Sequence, residues 1–82
     1  MPVFYFDYDD GDGPVRDEVG TELSDIAAAF IEASQTMAEL AADAIPGTRG
    51  GALAMVVRDE QDRRRITLSV TYQSAVITEN LL

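Results

Sequence analysis

Six carboxylates and two glycines fall within the twelve residues "DYDDGDGPVRDE", Asp7 to Glu18. Oxygen donors at that density raise the chemistry of a hard-cation loop, because Ca²⁺ is held by carboxylates and carbonyls. Spacing decides the matter. A loop of the EF-hand type wants Asp at positions 1, 3 and 5, Gly at 6, an apolar residue at 8 and Glu at 12. With Gly13 placed as that glycine, Asp12, Asp10 and Val15 fit, but Tyr8 occupies the first position and Val19 the last. Both anchoring carboxylates are therefore wrong, Glu18 misses by one residue, and the preceding segment reads as strand rather than helix. The expectation is an acidic hairpin turn that uses glycine's freedom at positive φ, with no built metal site. Asp9, Asp10, Asp12 and Glu18 are the side chains through which so acidic a turn would respond weakly to a divalent cation.

Pro2 offers a second chemistry. Removal of Met1 would leave its secondary amine at the N-terminus, and small tautomerases use such a proline as general base. They lower its pKa with an apolar pocket and hold the substrate's acid group with a nearby arginine. Here an acidic hairpin follows at once, and neighbouring carboxylates raise that pKa. A proline at the first position of a strand is ordinary in any case. Other constellations fail sooner. The chain has no histidine and no cysteine, so Ser24, Ser34, Ser69 and Ser74 lack an activating base, and thiolate metal sites and disulfides are out of reach. "GDG" and "GTRGG" lack both the spacing and the lysine of a phosphate loop. No catalytic residue and no cofactor are expected, and the chain reads as a non-enzymatic protein.

The 82 residues make one domain at most, spanning 1–82. A chain this short buries only about 60% of its unfolded surface, too little for a deep enclosed site. Its net charge of −9 is uneven: residues 1–23 carry −6, residues 24–45 carry −4, and residues 46–82 carry +1. Such a surface repels nucleic acid and anionic lipid, whose phosphates need clustered cations. The Arg63–Arg65 run is hemmed in by Asp59, Glu60 and Asp62 and reads as a solvated hairpin flank. No apolar run approaches the roughly 20 residues that span a bilayer, and no basic leader opens the chain, so a cytoplasmic location is expected.

The elements that would position these residues are legible from period and punctuation. "VFYFDY" is aromatic and β-prone, "DDGDGP" supplies turn chemistry, and "VRDEVGTEL" reads as a polar return strand. A helix follows over about 24–45, capped by Ser24 or Asp25 and stopped at Pro46-Gly47. Ile26, Phe30, Ala33, Met37, Leu40 and Ala44 draw its apolar stripe. "ALAMVVRDE" and "RRRITLSVTYQSAV" then form a hairpin around "DEQD". In the last strand Ile66, Leu68, Val70 and Tyr72 alternate with Thr67, Ser69, Thr71 and Gln73, giving one dry face and one wet face. The class is thus α+β, a ββαββ chain with a four-stranded, mainly antiparallel sheet and one helix on one face. The two strands that are apolar on both faces belong in the middle, which favours the spatial order 2-1-3-4.

One helix covers one face. Phe4, Phe6, Leu53, Met55 and Val57 should lie beneath it, leaving Val3, Tyr5, Ala54 and Val56 on the open side. A contiguous apolar patch there marks an interface. The partner expected is a second copy, packed sheet to sheet or joined through the tail, residues 74–82, with Val76, Ile77 and Leu81. That tail either extends the last strand, exchanges between copies or frays. The acidic hairpin and helix form a second surface suited to a basic protein partner.

The residues "MPVFYFD" (Met1–Asp7), "DG" at Asp10-Gly11 or Asp12-Gly13, "DEVGTEL" (Asp17–Leu23), "ELAAD" (Glu39–Asp43) and "VRDE" (Val57–Glu60) occur here in that order. In this the chain resembles a family of short bacterial proteins, plentiful in soil- and plant-associated proteobacteria. Its members begin like "MPRYFFD", continue through "DG" and "D-x-x-G-x-EL", and pass through an alanine-rich helix to "VRDE". The resemblance runs to about residue 72 and departs at Val3, where arginine is usual, and in the tail. It implies the same α+β fold. The family is a domain of unknown function, so no catalytic residue carries over.

Overall fold

A computed structural model describes residues 1–77. Strand β1 (Val3–Asp9) is followed by two short strands, β2 (Pro14–Val15) and β3 (Thr21–Glu22). Helix α1 (Ile26–Ala44) comes next, then a 3₁₀ turn (Ile45–Gly47), β4 (Gly50–Arg58) and β5 (Arg64–Gln73). The sheet runs β2-β1-β4-β5, with β3 pairing the same edge of β1 as β2. Every pairing is antiparallel. The order is the expected one, except that the return strand is cut in two and the sheet gains a fifth strand. Pro14–Val15 lies against Tyr8 and Asp9, and Thr21–Glu22 against Val3 and Phe4. Between them Arg16–Gly20 bulges out of the ladder, two residues longer than the stretch Tyr5–Asp7 that it spans.

The facing of the sheet follows its alternation. Phe4, Leu53, Met55 and Val57 are buried against Ala29, Ala33 and Met37 of the helix. Phe6, Tyr8, Ile66, Leu68, Val70 and Tyr72 pack around them on the same side. The helix begins where Asp25 accepts the Ala28 N–H at 2.9 Å on its side chain, and it ends where Pro46 forces the chain into the 3₁₀ turn. Asp25→Ala should lower stability by about 1 kcal/mol, read as a shift in the urea midpoint at unchanged slope.

The helix is turned from the expected stripe. Ala29 replaces Phe30 at the contact, Phe30 is 49% exposed and Ile26 is 37% exposed. The reason is volume. Leu53, Met55 and Val57 already fill the space above the sheet, so α1 approaches on its smallest side chains, Ala29 and Ala33, both fully buried. Bulkier residues at that contact would hold the helix away.

The "DEQD" turn forms as expected. Asp62 N–H donates to the Asp59 carbonyl at 3.0 Å, and Asp62 takes φ 62°, a conformation that aspartate tolerates better than most residues. Beyond β5, Ser74 N–H donates to the Arg49 carbonyl at 2.7 Å, after which Val76 and Ile77 are almost fully exposed.

Candidate functional site

The open face is organised by a residue at the end of β4. Arg58 follows a run of apolar side chains, lies directly across from Tyr5, and is itself buried. Its guanidinium grips Asp7 with two bonds, Nε to Oδ2 at 2.6 Å and Nη2 to Oδ1 at 3.1 Å. Nη1 donates to Asp62 at 2.8 Å, Nη2 also donates to the Asp17 carbonyl at 2.9 Å, and Cζ stands 4.9 Å from the centre of the Tyr5 ring. The planar fork of arginine suits this arrangement and a lysine would not. Nearly all of its donors are engaged, so little capacity remains for an anionic ligand.

Asp17 repairs the hole that the bulge leaves in the ladder. Its carboxylate accepts the Phe6 N–H at 3.0 Å on one oxygen, and the Val19 and Gly20 N–H groups at 3.0 and 3.1 Å on the other. Its own N–H donates to Asp7 Oδ1 at 2.9 Å. The excursion Arg16–Gly20 is thereby stitched to β1 and β4, with Gly20 close against Val3 and Tyr5. A shallow cleft of about 380 Å³ opens beside the network, lined by Tyr5, Arg16, Arg58 and the acids Asp17, Glu18, Asp59, Glu60 and Asp62.

Electrostatics fixes these acids in their charged form. The Arg58 guanidinium holds the Asp7 carboxyl below its ordinary value, and it does the same for Asp62. Burial pushes Asp17 up, but the N–H groups of Phe6, Gly20 and Val19 outweigh it and leave the pKa lowered. At Asp59 burial likewise acts upward and is overruled by the Arg63 N–H, the Arg63 guanidinium and the Gln61 N–H, which bring the group to about 2. None of the four holds a proton to donate near neutrality. Because folding depresses these pKa values, the stability they contribute is complete above the unfolded value of 3.8 and is lost as pH falls toward about 2. The thermal midpoint should hold level down to about pH 5 and drop between about pH 4 and 2, and an Asp59→Asn variant should flatten that drop.

The expected site residues are dispersed. Of the acids named for a weak cation response, Asp9 accepts the Gly11 N–H at 2.8 Å and Asp10 the Asp12 N–H at 3.1 Å, each bracing its own turn. Glu18 belongs to the Arg58 cleft instead. Among the described residues no three Asp or Glu side chains converge as a cation cage would require. Pro2 accepts the Leu23 N–H at 3.0 Å through its carbonyl and borders a cleft of about 270 Å³ with Asp25, Glu60, Arg63 and Arg65. Those arginines are engaged there by Asp59, at 2.8 Å from Arg63 and 3.4 Å from Arg65.

Of the expected interface residues, Val3 and Tyr5 are half-buried beneath the excursion, Val56 is half-buried, and Ala54, Val76 and Ile77 are exposed. Leu81 lies outside the described residues. The Arg58–Asp7–Asp17 network was not anticipated from the sequence. Its signal was an aspartate interrupting the aromatic strand and an arginine closing an apolar one.

A family model described as "Domain of unknown function (DUF6894)" matches residues 3–71, and the chain belongs to that family. No curated protein and no solved structure matches the chain. Among the described residues no helix is long and apolar enough to cross a membrane.

Proposed function

We propose that this member of the DUF6894 family is a non-enzymatic binding module that associates with a second copy of itself through the sheet face opposite the helix. The observation that carries this reading is the strip left open on that face. Ala52 and Ala54 are exposed and Val56 half-exposed; across β5 they face Thr71, Ser69 and Thr67, and across β1 Val56 and Ala54 face Asp7 and Asp9. The strip itself is uncharged, and it lies in a chain of net charge −9. Charge lies along its β1 border, where Arg58 neutralises Asp7 and Asp9 accepts the Gly11 N–H. The reading is narrower than the sequence alone suggests, because the excursion takes Val3 and Tyr5 out of most of the contact.

Ala54→Arg sets a long cation at the centre of the strip and, under two-fold symmetry, opposite itself. The unmodified chain should show at least twice 8.9 kDa by light scattering, and the variant a smaller mass with an unchanged circular dichroism spectrum. Equal masses for the two would remove this face as the contact. A second reading, a basic protein partner, is favoured by the cleft beside Arg58, where five acids face two arginines. It requires an association whose rate falls steeply as salt rises.

A further inference from the structure

The two edges of the sheet are treated differently. On the outer side of β1, Phe4 and Tyr8 pair with Thr21 and Val15, and the Phe6 N–H between them is taken by the Asp17 carboxylate. That edge is closed. The β5 edge has no neighbour among the described residues. The bond from Ser74 N–H to the Arg49 carbonyl continues the β4–β5 register and so fixes the parity of the ladder. Ile66, Leu68, Val70 and Tyr72 turn their backbone groups toward β4, while Thr67, Ser69, Thr71 and Gln73 turn theirs outward. From Ile66 to Gln73 this edge carries no charge, no proline and no glycine. Exposed edges are ordinarily blunted by charges or proline, and here only the first two residues of β5, Arg64 and Arg65, are charged.

We infer that a second copy of this chain pairs antiparallel with β5 through these outward groups, joining two sheets into one. Charge selects the copy as occupant. All 15 acids lie outside Arg63–Ile77, so two chains of net charge −9 meet along β5 without opposing any carboxylates. Pattern selects it too. A two-fold axis at Ser69 sets Thr67 opposite the copy's Thr71, Leu68 opposite its Val70 and Ile66 opposite its Tyr72. Those apolar side chains are only half-buried beneath α1, and each gains an apolar cross-strand neighbour. The contact lies in the plane of the sheet and does not depend on the open-face contact proposed above.

Amide hydrogen exchange on the full chain, followed by NMR across a concentration series, tests it. The Thr67, Ser69 and Thr71 amides should exchange at least about tenfold more slowly at high concentration than on dilution, while Leu68, Val70 and Tyr72 stay protected throughout. Ser69→Pro removes an outward N–H without breaking a bond to β4, and it should abolish the protection of Thr67 and Thr71. Should that variant fail to fold, the dilution series of the unmodified chain still decides. Fast exchange of the three amides at every concentration would overturn the edge contact. If the mass were nonetheless doubled, the open-face contact would stand without it.

Discussion

Arg58→Met should lower folding stability by about 3 kcal/mol, the low end of the range for breaking a buried ion pair from one side. The substitution keeps much of the volume and removes four hydrogen bonds at once. Asp7 then faces the sheet without its bidentate partner, and the Asp17 carbonyl and Asp62 lose theirs. The low end applies because the Asp7 side chain retains 21% exposure, so water compensates part of its charge. Against the roughly 5–15 kcal/mol that holds a small domain together, the loss is large. Urea unfolding should show it as a lower midpoint. Arg58→Lys should fall between, since an ammonium keeps the charge but cannot grip both Asp7 oxygens with the fork of a guanidinium. The amides of Val19 and Gly20 should lose protection in the Met variant before those of β4 do. Equal loss across the sheet would mean that Arg58 does not fasten the excursion.

Gly20→Ala should cost about 2–4 kcal/mol, from two sources. Gly20 adopts φ +80°, where an L side chain is strained by about 1–2 kcal/mol. A Cβ there would also stand 2.5 Å from Val3 Cγ1 and 2.9 Å from Tyr5 Cε2, distances that force the neighbours to move. Gly13→Ala is the control, because Gly13 also has positive φ but nothing lies within 4 Å of the added carbon. Because Gly13, at φ 112°, lies further than Gly20 from the left-handed region open to L residues, any excess of the first variant over the second is a lower bound on the collision. Val3→Ala in the Gly20→Ala background should recover part of it, as Val3 supplies the nearest atom.

Much of this architecture was legible beforehand, for reasons tied to particular residues. Alternation in Ile66–Gln73 and the two-faced apolar character of Val3–Tyr8 and Leu53–Val57 were enough to order the sheet and to place Phe4, Met55 and Val57 under the helix. The helix stripe was right in its lower half, at Ala33, Met37 and Leu40, and wrong at Phe30. Hydrophobic period counts a phenylalanine above an alanine, whereas close packing on a crowded sheet prefers the alanine. The Arg58 network was hidden because Asp7 and Asp17 are 51 and 41 residues away along the chain, and pattern within a window cannot pair them.

The network also gives physical meaning to the residues that carry the family resemblance. Within "VRDE", Val57 is core, Arg58 is the hub, Asp59 braces the turn and Glu60 accepts the Val3 N–H at 3.1 Å. Asp17 and Gly20, within "DEVGTEL", are the residues that let the excursion close over β1. In this chain these signature residues build the fold. Among the described residues the network leaves the Ala52–Val56 strip and the β5 edge open.

Whether copies of the chain meet at all is settled most directly by sedimentation equilibrium of the unmodified protein from nanomolar to micromolar concentration. Self-association requires a mass that climbs from 8.9 kDa to at least twice that value with concentration. A mass of 8.9 kDa throughout would contradict it.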